Sequence, residues 1–583
     1  MRRLLRIHGG IAVLSVIGTV LAVNVFADEF SERSVDAFRK HAFVWDTPAP
    51  EGCPAPQSEA YRGLLFTGRF AGYTKADTWY PSWGDDDRLY TPWTDGSVDG
   101  LTSWSFGKEA RIGFAVVEGD DPQHLSIVHK GLIHASPAPY GGRYPCGSLM
   151  VNGVWFIGTY GLAYGSYGLN WPIMGPCGGF HISTDRGKTW TPSPLSCEPR
   201  KALFPEPKEF KGPVKFGAPH FVDFGKNMEH SPDGKAYLVG HGSTEYDEED
   251  RKANLSWISG DEIYLCRVPP TIEAINDESR YEYFAGFDAA GNPQWSADFE
   301  DCRPIFAWDN NCGCVTMTYN APLRKYFMCI TDGWPTTAKM RTYILESDRI
   351  EGPWKLVTYL KDFGEQGYFV NIPSKFISDD GKTFWLSYSA NFTNLGRNPT
   401  HWASKPYGSQ YQWDLAEVRL LTEVPGPDVP RVERVDSPLD SDLNLALKAE
   451  VSASSVHSDY TAEAACDGKA EGYPEAPQHE WASQGEKAGA WIKLSWSQPQ
   501  TIDRVWLFDR PNRLDHVTAA RIEFSDGTTY TTGPLADQAF FGTEVRFSPK
   551  QVEWVKITAA EVGPKTLNIG FAEVAVFNGD PAE

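Results

Sequence analysis

Two aspartates set among tryptophans are the part of this 583-residue sequence best suited to chemistry. The stretch Ala76-Asp77-Thr78-Trp79-Tyr80-Pro81-Ser82-Trp83 is followed closely by Leu89-Tyr90-Thr91-Pro92-Trp93-Thr94-Asp95-Gly96. Aromatic rings offer flat apolar faces to sugar C–H groups, and a pair of carboxylates supplies the acid and base that break a glycosidic bond. Asp77 and Asp95 are therefore the candidate catalytic carboxylates, with Trp79, Trp83 and Trp93 as candidate sugar platforms. A plainer reading stays open, in which Asp95-Gly96 is a hairpin turn and the tryptophans are core. Arg143, His220, Tyr368 and Asn391 are further candidates for contact with a glycan, and Glu346 and Glu365 are reserve acids. A lone histidine such as His220 is more often structural than catalytic. A different reaction, lyase cleavage beside a uronate, would draw its base from His220 or Tyr144 and its positive charge from Arg143 or Lys375.

These residues need a scaffold, and the sequence describes one. From about residue 61 to 420, short β-like runs such as Ala236 to Gly240, Ile263 to Val268 and Thr383 to Tyr388 alternate with Gly, Asp, Asn and Pro turns. No helical periodicity of useful length intervenes. The segment is too long for one sandwich, and the pattern predicts an all-β fold, a β-propeller. Innermost propeller strands line a central channel, so acids on the first strand of a blade and on the next strand can face each other there. Residues 28–60 form an N-terminal extension, the Pro-rich acidic stretch 421–442 reads as a linker, and a second β-rich unit spans 443–579.

Arg2, Arg3 and Arg6 followed by an apolar run and Val25-Phe26-Ala27 make residues 1–27 a predicted signal peptide, which implies a secreted or periplasmic protein. No stable membrane span is expected after its removal. The formal net charge of −22 argues against a nucleic-acid partner and disfavours a polyanionic substrate, unless a local basic pocket overrules the average. Ten cysteines in an exported chain allow disulfides, and Cys177 with Cys197 would staple a probable hairpin. Cys312 and Cys314 lack a second pair at zinc-ligand spacing.

Three resemblances sharpen these expectations. Ser183-Thr184-Asp185-Arg186-Gly187-Lys188-Thr189-Trp190 resembles the Asp-box, a turn between outer strands of sialidase-like blades, which assigns Asp185 a structural role. Asn444-Leu445-Ala446, Ala465-Cys466-Asp467-Gly468, Trp491-Ile492-Lys493-Leu494, Asp509-Arg510 and Gly570-Phe571-Ala572-Glu573-Val574 together resemble the discoidin-type, galactose-binding-like jelly roll, a common carbohydrate-binding module. That resemblance implies a structural Ca²⁺ held by backbone carbonyls, Asp467 and Glu573. The Asp-Thr-Trp opening, Tyr281-Glu282-Tyr283-Phe284 with Trp295, Gly352-Pro353-Trp354 and the strand from Ser387 to Asn391 resemble a propeller family that includes endo-D-arabinanases and, more distantly, five-bladed glycosidases. The resemblance implies five blades and an early aspartate pair, best matched by Asp77 and Asp95, and no catalytic cofactor. The expected function is a secreted glycoside hydrolase with a polysaccharide or oligosaccharide substrate. The alternatives are a polysaccharide lyase on the same propeller or a non-catalytic carbohydrate-binding protein.

Overall fold

The short alternating runs become antiparallel strands throughout a computed structural model that describes residues 42–579, apart from 46–47, 106–109, 135–141, 163–173, 198–200, 207–213, 244–259, 334–339, 362, 364–366, 391–403, 406–411, 432, 435–437, 473–475, 511, 513 and 538–541. The predicted signal peptide lies outside the described residues. Five sheets succeed one another in a propeller-like arrangement between Phe43 and Leu420; four have four or more strands, and one has three.

In chain order the first sheet runs outward from Lys75–Asp77 and Ser82–Trp83 through Leu89–Val98, Arg111–Glu118 and Ser126–His134. The three-stranded sheet is Gly142–Val151, Val154–Leu162 and Met174–Ser183. A third starts with Val214–Phe221, Ala236–Ser243 and Glu262–Val268, and a fourth comprises Val315–Asn320, Lys325–Gly333, Met340–Ser347 and Lys355–Leu360. The last starts with Gly367–Asn371, Thr383–Ala390 and Trp413–Leu420, and is completed by Leu64–Tyr73 from the other end of the segment. Leu64 pairs with Leu420 and Tyr73 with Trp413, so one pairing closes the ring.

The first strand of every sheet faces a common axis. Tyr80, Ser148, His220, Thr316 and Asn371, one or two positions from each of these strands, line one cavity of about 40 Å³. Outer strands are tied by polar turns. In the Asp-box, Asp185 Oδ1 accepts from Ser183 Oγ and the Thr189 amide at 2.8 Å each, while Trp190 packs on Trp155 and Phe114 with centroids 5.1 Å apart. Ser378 to Lys382 repeats the device, with Asp380 accepting from the Lys382 amide at 3.0 Å.

All ten cysteines are free thiols, so the bridge expected between Cys177 and Cys197 is not present. The Cys177 thiol meets Cys146 instead, across the intervening strand at Gly158, while Cys197 packs against Gly178. Cys146 and Cys177 stand on alternate strands, roughly 9 to 10 Å apart, beyond the Cα separation a disulfide tolerates.

A seven-stranded antiparallel roll occupies the C-terminal unit, in the order Trp481–Ala482, Gly570–Phe577, Trp491–Asp509, Thr543–Val562, Val517–Phe524 and Thr529–Thr531, with Glu450–Ala453 also on Trp491–Asp509. Trp491–Asp509 changes register between Ser495 and Gln500, so its first half pairs with 554–558 and its second with 543–552 and Gly570–Phe577. This bend lets one strand serve both faces of the jelly roll. Ile492, Leu494, Val555 and Ile557 point inward to its core. At the preceding stretch, Val44 N donates to Pro430 O at 2.9 Å and Leu439 is buried against Trp506 and Phe508.

Close packing in the first sheet is testable at Gly113, the cross-strand partner of Trp93. A Cβ there would stand 2.0 Å from the Trp93 ring, whereas one on Gly426 would meet nothing. Gly113→Ala is expected to destabilise the chain by about 1–3 kcal/mol and Gly426→Ala to leave it nearly unchanged, measured by chemical denaturation.

Candidate functional site

Register places the candidate acids at one end of the axis. Asp77 lies on the innermost strand of the first sheet and pairs with Thr94, the residue before Asp95. A bulge separates this pair from Lys75 and Ser97, and at that point the chains approach so closely that a Cβ on Gly96 would sit 1.9 Å from Lys75 O. The glycine therefore permits the crossing that sets both aspartates at the same level. On the neighbouring inner strands that level is occupied by Tyr144 and Tyr368, each three residues before a cavity-lining residue.

The environments of the two acids differ. Asp77 is buried, and its carboxylate accepts from the Tyr368 phenol and from Thr78 Oγ1 at 3.3 Å. Asp95, partly buried, accepts from the Ser105 amide at 2.7 Å and from the Ser105 hydroxyl. Burial pushes the Asp95 carboxyl above its usual range, against the pull of the two Ser105 donors. Burial first, then the charge of Asp95 and to a lesser degree that of Asp77, raise the Tyr144 phenol. Both carboxylates therefore bear on one tyrosine that stacks on Tyr160 at 5.7 Å. Backbone strain gathers here: Thr78, Asp95 and Phe369 have φ of 60°, 45° and 55°. A left-handed conformation is costly for a β-branched residue, and such strain clusters at functional sites.

Several sequence-derived assignments need correction. Trp79 and Trp93 are not sugar platforms; they are fully buried in the core between the first and last sheets, where Trp79 stacks on Trp93 at 6.5 Å and on Trp413 at 5.3 Å between centroids. Trp83 is partly exposed but belongs to the opposite end of the strand, where its Nε1 donates to Asp87 at 2.9 Å and Lys226 lies over its ring. His220 is buried inside the channel with its ring 4.3 Å from Tyr80, and burial, helped by His241, lowers it to about 3. Its 40 Å³ cavity has room for a water or two, not for a sugar ring. Tyr368 does join the site, through Asp77. Asn391, Glu365 and the side chain of Arg143 lie outside the described residues. Glu346 is held by Lys325 and Ser58 at 2.8 Å each, and Lys375 pairs with Asp120 at 2.9 Å.

Two residues at this level escaped the sequence reading. Asp332 ends the second strand of the fourth sheet, wholly buried, with one carboxylate oxygen lacking a hydrogen-bond partner among the described residues and the other 3.4 Å from the Tyr343 hydroxyl. Burial pushes it up to about 7, against the pull of Arg341. Trp104, 64 % exposed, immediately precedes the Ser105 that holds Asp95. An isolated aspartate and a tryptophan in a polar run carry no local signal of such placement.

In the C-terminal unit Glu573 is fully buried. Its carboxylate receives long bonds from the Gly468 amide at 3.3 Å and Asn444 Nδ2 at 3.5 Å. Burial and then the Asp467 charge push it well above the carboxylate range, and the other face of Asp467 meets His479 Nδ1 at 2.6 Å. Two converging carboxyls, one of them buried with weak donors, are a donor set that a hard cation would satisfy.

Comparison with known proteins addresses this unit. Residues 444–577 match a family described as a domain of unknown function, DUF7402. No curated protein matches the chain. Among solved structures, chitosan-binding module 1 of a chitosanase/glucanase from Paenibacillus sp. IK-5 is 22 % identical over 23 % of this chain and 98 % of its own, with a TM-score of 0.19. The family 32 carbohydrate-binding module of C. perfringens NanJ, in complex with galactose, is 17 % identical over 23 % and 96 %, with a TM-score of 0.20. A further Clostridium perfringens module, CpGH89CBM32-5, in complex with GalNAc-β-1,3-galactose, is 19 % identical over 23 % and 99 %, with a TM-score of 0.20. The jelly-roll assignment stands on the strand order described above.

Asp332 yields a pH prediction. Its folded value of about 7 lies above the ordinary 3.8, so the folded state holds the proton more tightly and stability is lost as pH rises through that interval. Replacement by Asn is expected to flatten this fall, as read from denaturation midpoints between pH 4 and 8.

Proposed function

We propose that the chain is a secreted glycoside hydrolase with a glycan-binding C-terminal module. The observation that carries the reading is the paired but unequal surroundings of Asp77 and Asp95 on adjacent strands, since two carboxyls in different environments can divide acid and base roles. Asp77 accepts hydrogen bonds from the Tyr368 and Thr78 hydroxyls, which hold its carboxylate in place as the base or nucleophile. Asp95, raised by burial, is suited to hold a proton.

In the proposed reaction Asp95 delivers that proton to the glycosidic oxygen as the C–O bond breaks. Asp77 either takes a proton from the attacking water or attacks the anomeric carbon itself, to be displaced by water in a second step. Tyr368 orients the Asp77 carboxylate, and the exposed indole of Trp104, next in sequence to the Ser105 that holds Asp95, offers a stacking face. The alternative lyase has less support, because its bases are unsuited: His220 is enclosed and Tyr144 has its phenol raised rather than lowered.

Asp77→Asn and Asp95→Asn should each lower turnover by about 10² to 10⁴ on a glycan the wild type cleaves, with folding and glycan binding retained. Near-native turnover in both variants would reject the acid pair. A near-ultraviolet absorbing product would instead indicate a lyase, and binding without new reducing ends would indicate a lectin-like protein.

We further propose that Asp467, Glu573 and neighbouring backbone carbonyls hold a structural Ca²⁺, which would neutralise the buried carboxyl pair. A ligand bound only by the native state raises its stability. The full-length chain should melt at a higher temperature in millimolar Ca²⁺ than in chelator, and Glu573→Gln should abolish the difference. Coincident wild-type curves would remove the metal.

A further inference from the structure

The outward face of the C-terminal roll carries a charge arrangement that folding alone does not favour. Lys493 on strand Trp491–Asp509 stands directly opposite Lys556 on strand Thr543–Val562. Like charges in direct cross-strand register repel and destabilise a sheet. Among the described residues neither ammonium has a carboxylate partner, although the chain as a whole carries a net charge of −22. Glu523, the register partner of Lys556 on its other side, has its nearest cation in the half-exposed Arg521 at 2.8 Å.

What the lysines do contact is aromatic. Lys493 Nζ lies 4.6 Å from the centre of the Trp554 ring, and Lys556 Nζ lies 4.9 Å from that of Trp491. All four side chains are partly exposed, and the inward alternates Ile492, Leu494, Val555 and Ile557 are buried, so the quartet faces outward as a set. Trp554 is level with Ser495, four residues along the strand from Trp491, which separates the two indoles by roughly 13 Å. A central pair of ammonium groups between two flat rings is thus laid out along the strands.

We propose that this sheet face binds an anionic polysaccharide. A carboxylate or sulfate on the glycan would sit between Lys493 and Lys556 and relieve their repulsion, while neighbouring sugar rings rest on Trp491 and Trp554. The spacing of the indoles suits an oligosaccharide stretch rather than one sugar. A nucleic acid fits less well, since among the described residues the register rows beside the quartet add only Arg521, which is paired with Glu523. The inference stands on the roll alone and is independent of the acid pair in the propeller.

Affinity electrophoresis of the full-length chain tests it, with polygalacturonate, dextran sulfate, unsubstituted dextran or duplex DNA in the gel. Wild-type protein should be retarded by a charged glycan and not by dextran, and the retardation should weaken as salt rises. The two charged gels distinguish carboxylate from sulfate recognition. Lys493→Gln/Lys556→Gln should lose at least tenfold in affinity while melting close to wild type, because loss of the repulsion offsets loss of the two contacts with the indole rings. Trp554→Ala should also weaken binding, which simple attraction between charges would not require. Equal retardation of wild type and the lysine double variant, no retardation by either charged glycan, or DNA binding as strong as glycan binding would each overturn the proposal.

Discussion

The acid pair depends on a stack of three tryptophans. Trp79 follows the innermost strand of the first sheet by two residues, Trp93 comes from the neighbouring strand and Trp413 from the last sheet, and all are buried. Asp77 precedes Trp79 by two residues and Asp95 follows Trp93 by two, so the rings fix the strand segments from which both carboxyls project. Hydrogen bonds lock the stack at its edges, from Trp79 Nε1 to Ala76 O and from Trp413 Nε1 to Ser387 Oγ, each 2.8 Å. Large buried aromatics supply much of the packing energy of a core, and here they supply position as well.

Polar groups around the axis are graded by the same packing. Towards the middle, the Tyr80 hydroxyl and His220 Nε2 have no hydrogen-bond partner among the described residues and line the small cavity. At the end where the inner strands begin, hydroxyls from Tyr368, Thr78 and Ser105 converge on carboxylates. Burial raises Asp95 and Asp332 alike, but the Ser105 amide stands 2.7 Å from Asp95 with the Ser105 hydroxyl beside it, whereas the Tyr343 hydroxyl is 3.4 Å from Asp332. Desolvation thus sets the level and local donors set the differences.

Much of the architecture was legible because it is written locally. Alternation marked strands, Ser183 to Trp190 spelled a turn whose hydrogen bonds involve only near neighbours, and the runs around Trp491 and Gly570 marked the roll. The two aspartates were legible as neighbours on adjacent strands, yet the tryptophans beside them were misassigned. Composition cannot tell a ring that faces sugar from one that meets Trp413 more than 300 residues away. Asp332 was invisible for the same reason, since Cys312, Arg341 and Tyr343 make its environment only after the sheets assemble. The Cys177 assignment failed because hairpin proximity in sequence does not specify where a thiol points.

Ring closure has a consequence for timing. The strand Leu64–Tyr73 is made early, but its partner Trp413–Leu420 follows only after every other sheet has been synthesised. Contacts between distant parts of a chain form late, because the intervening loop must first be ordered. Asp77 meets Tyr368 across 291 residues, on strands of the first and last sheets. A nascent chain therefore carries its two aspartates as ordinary, separate carboxylates, and their joint surroundings arise only in the finished ring.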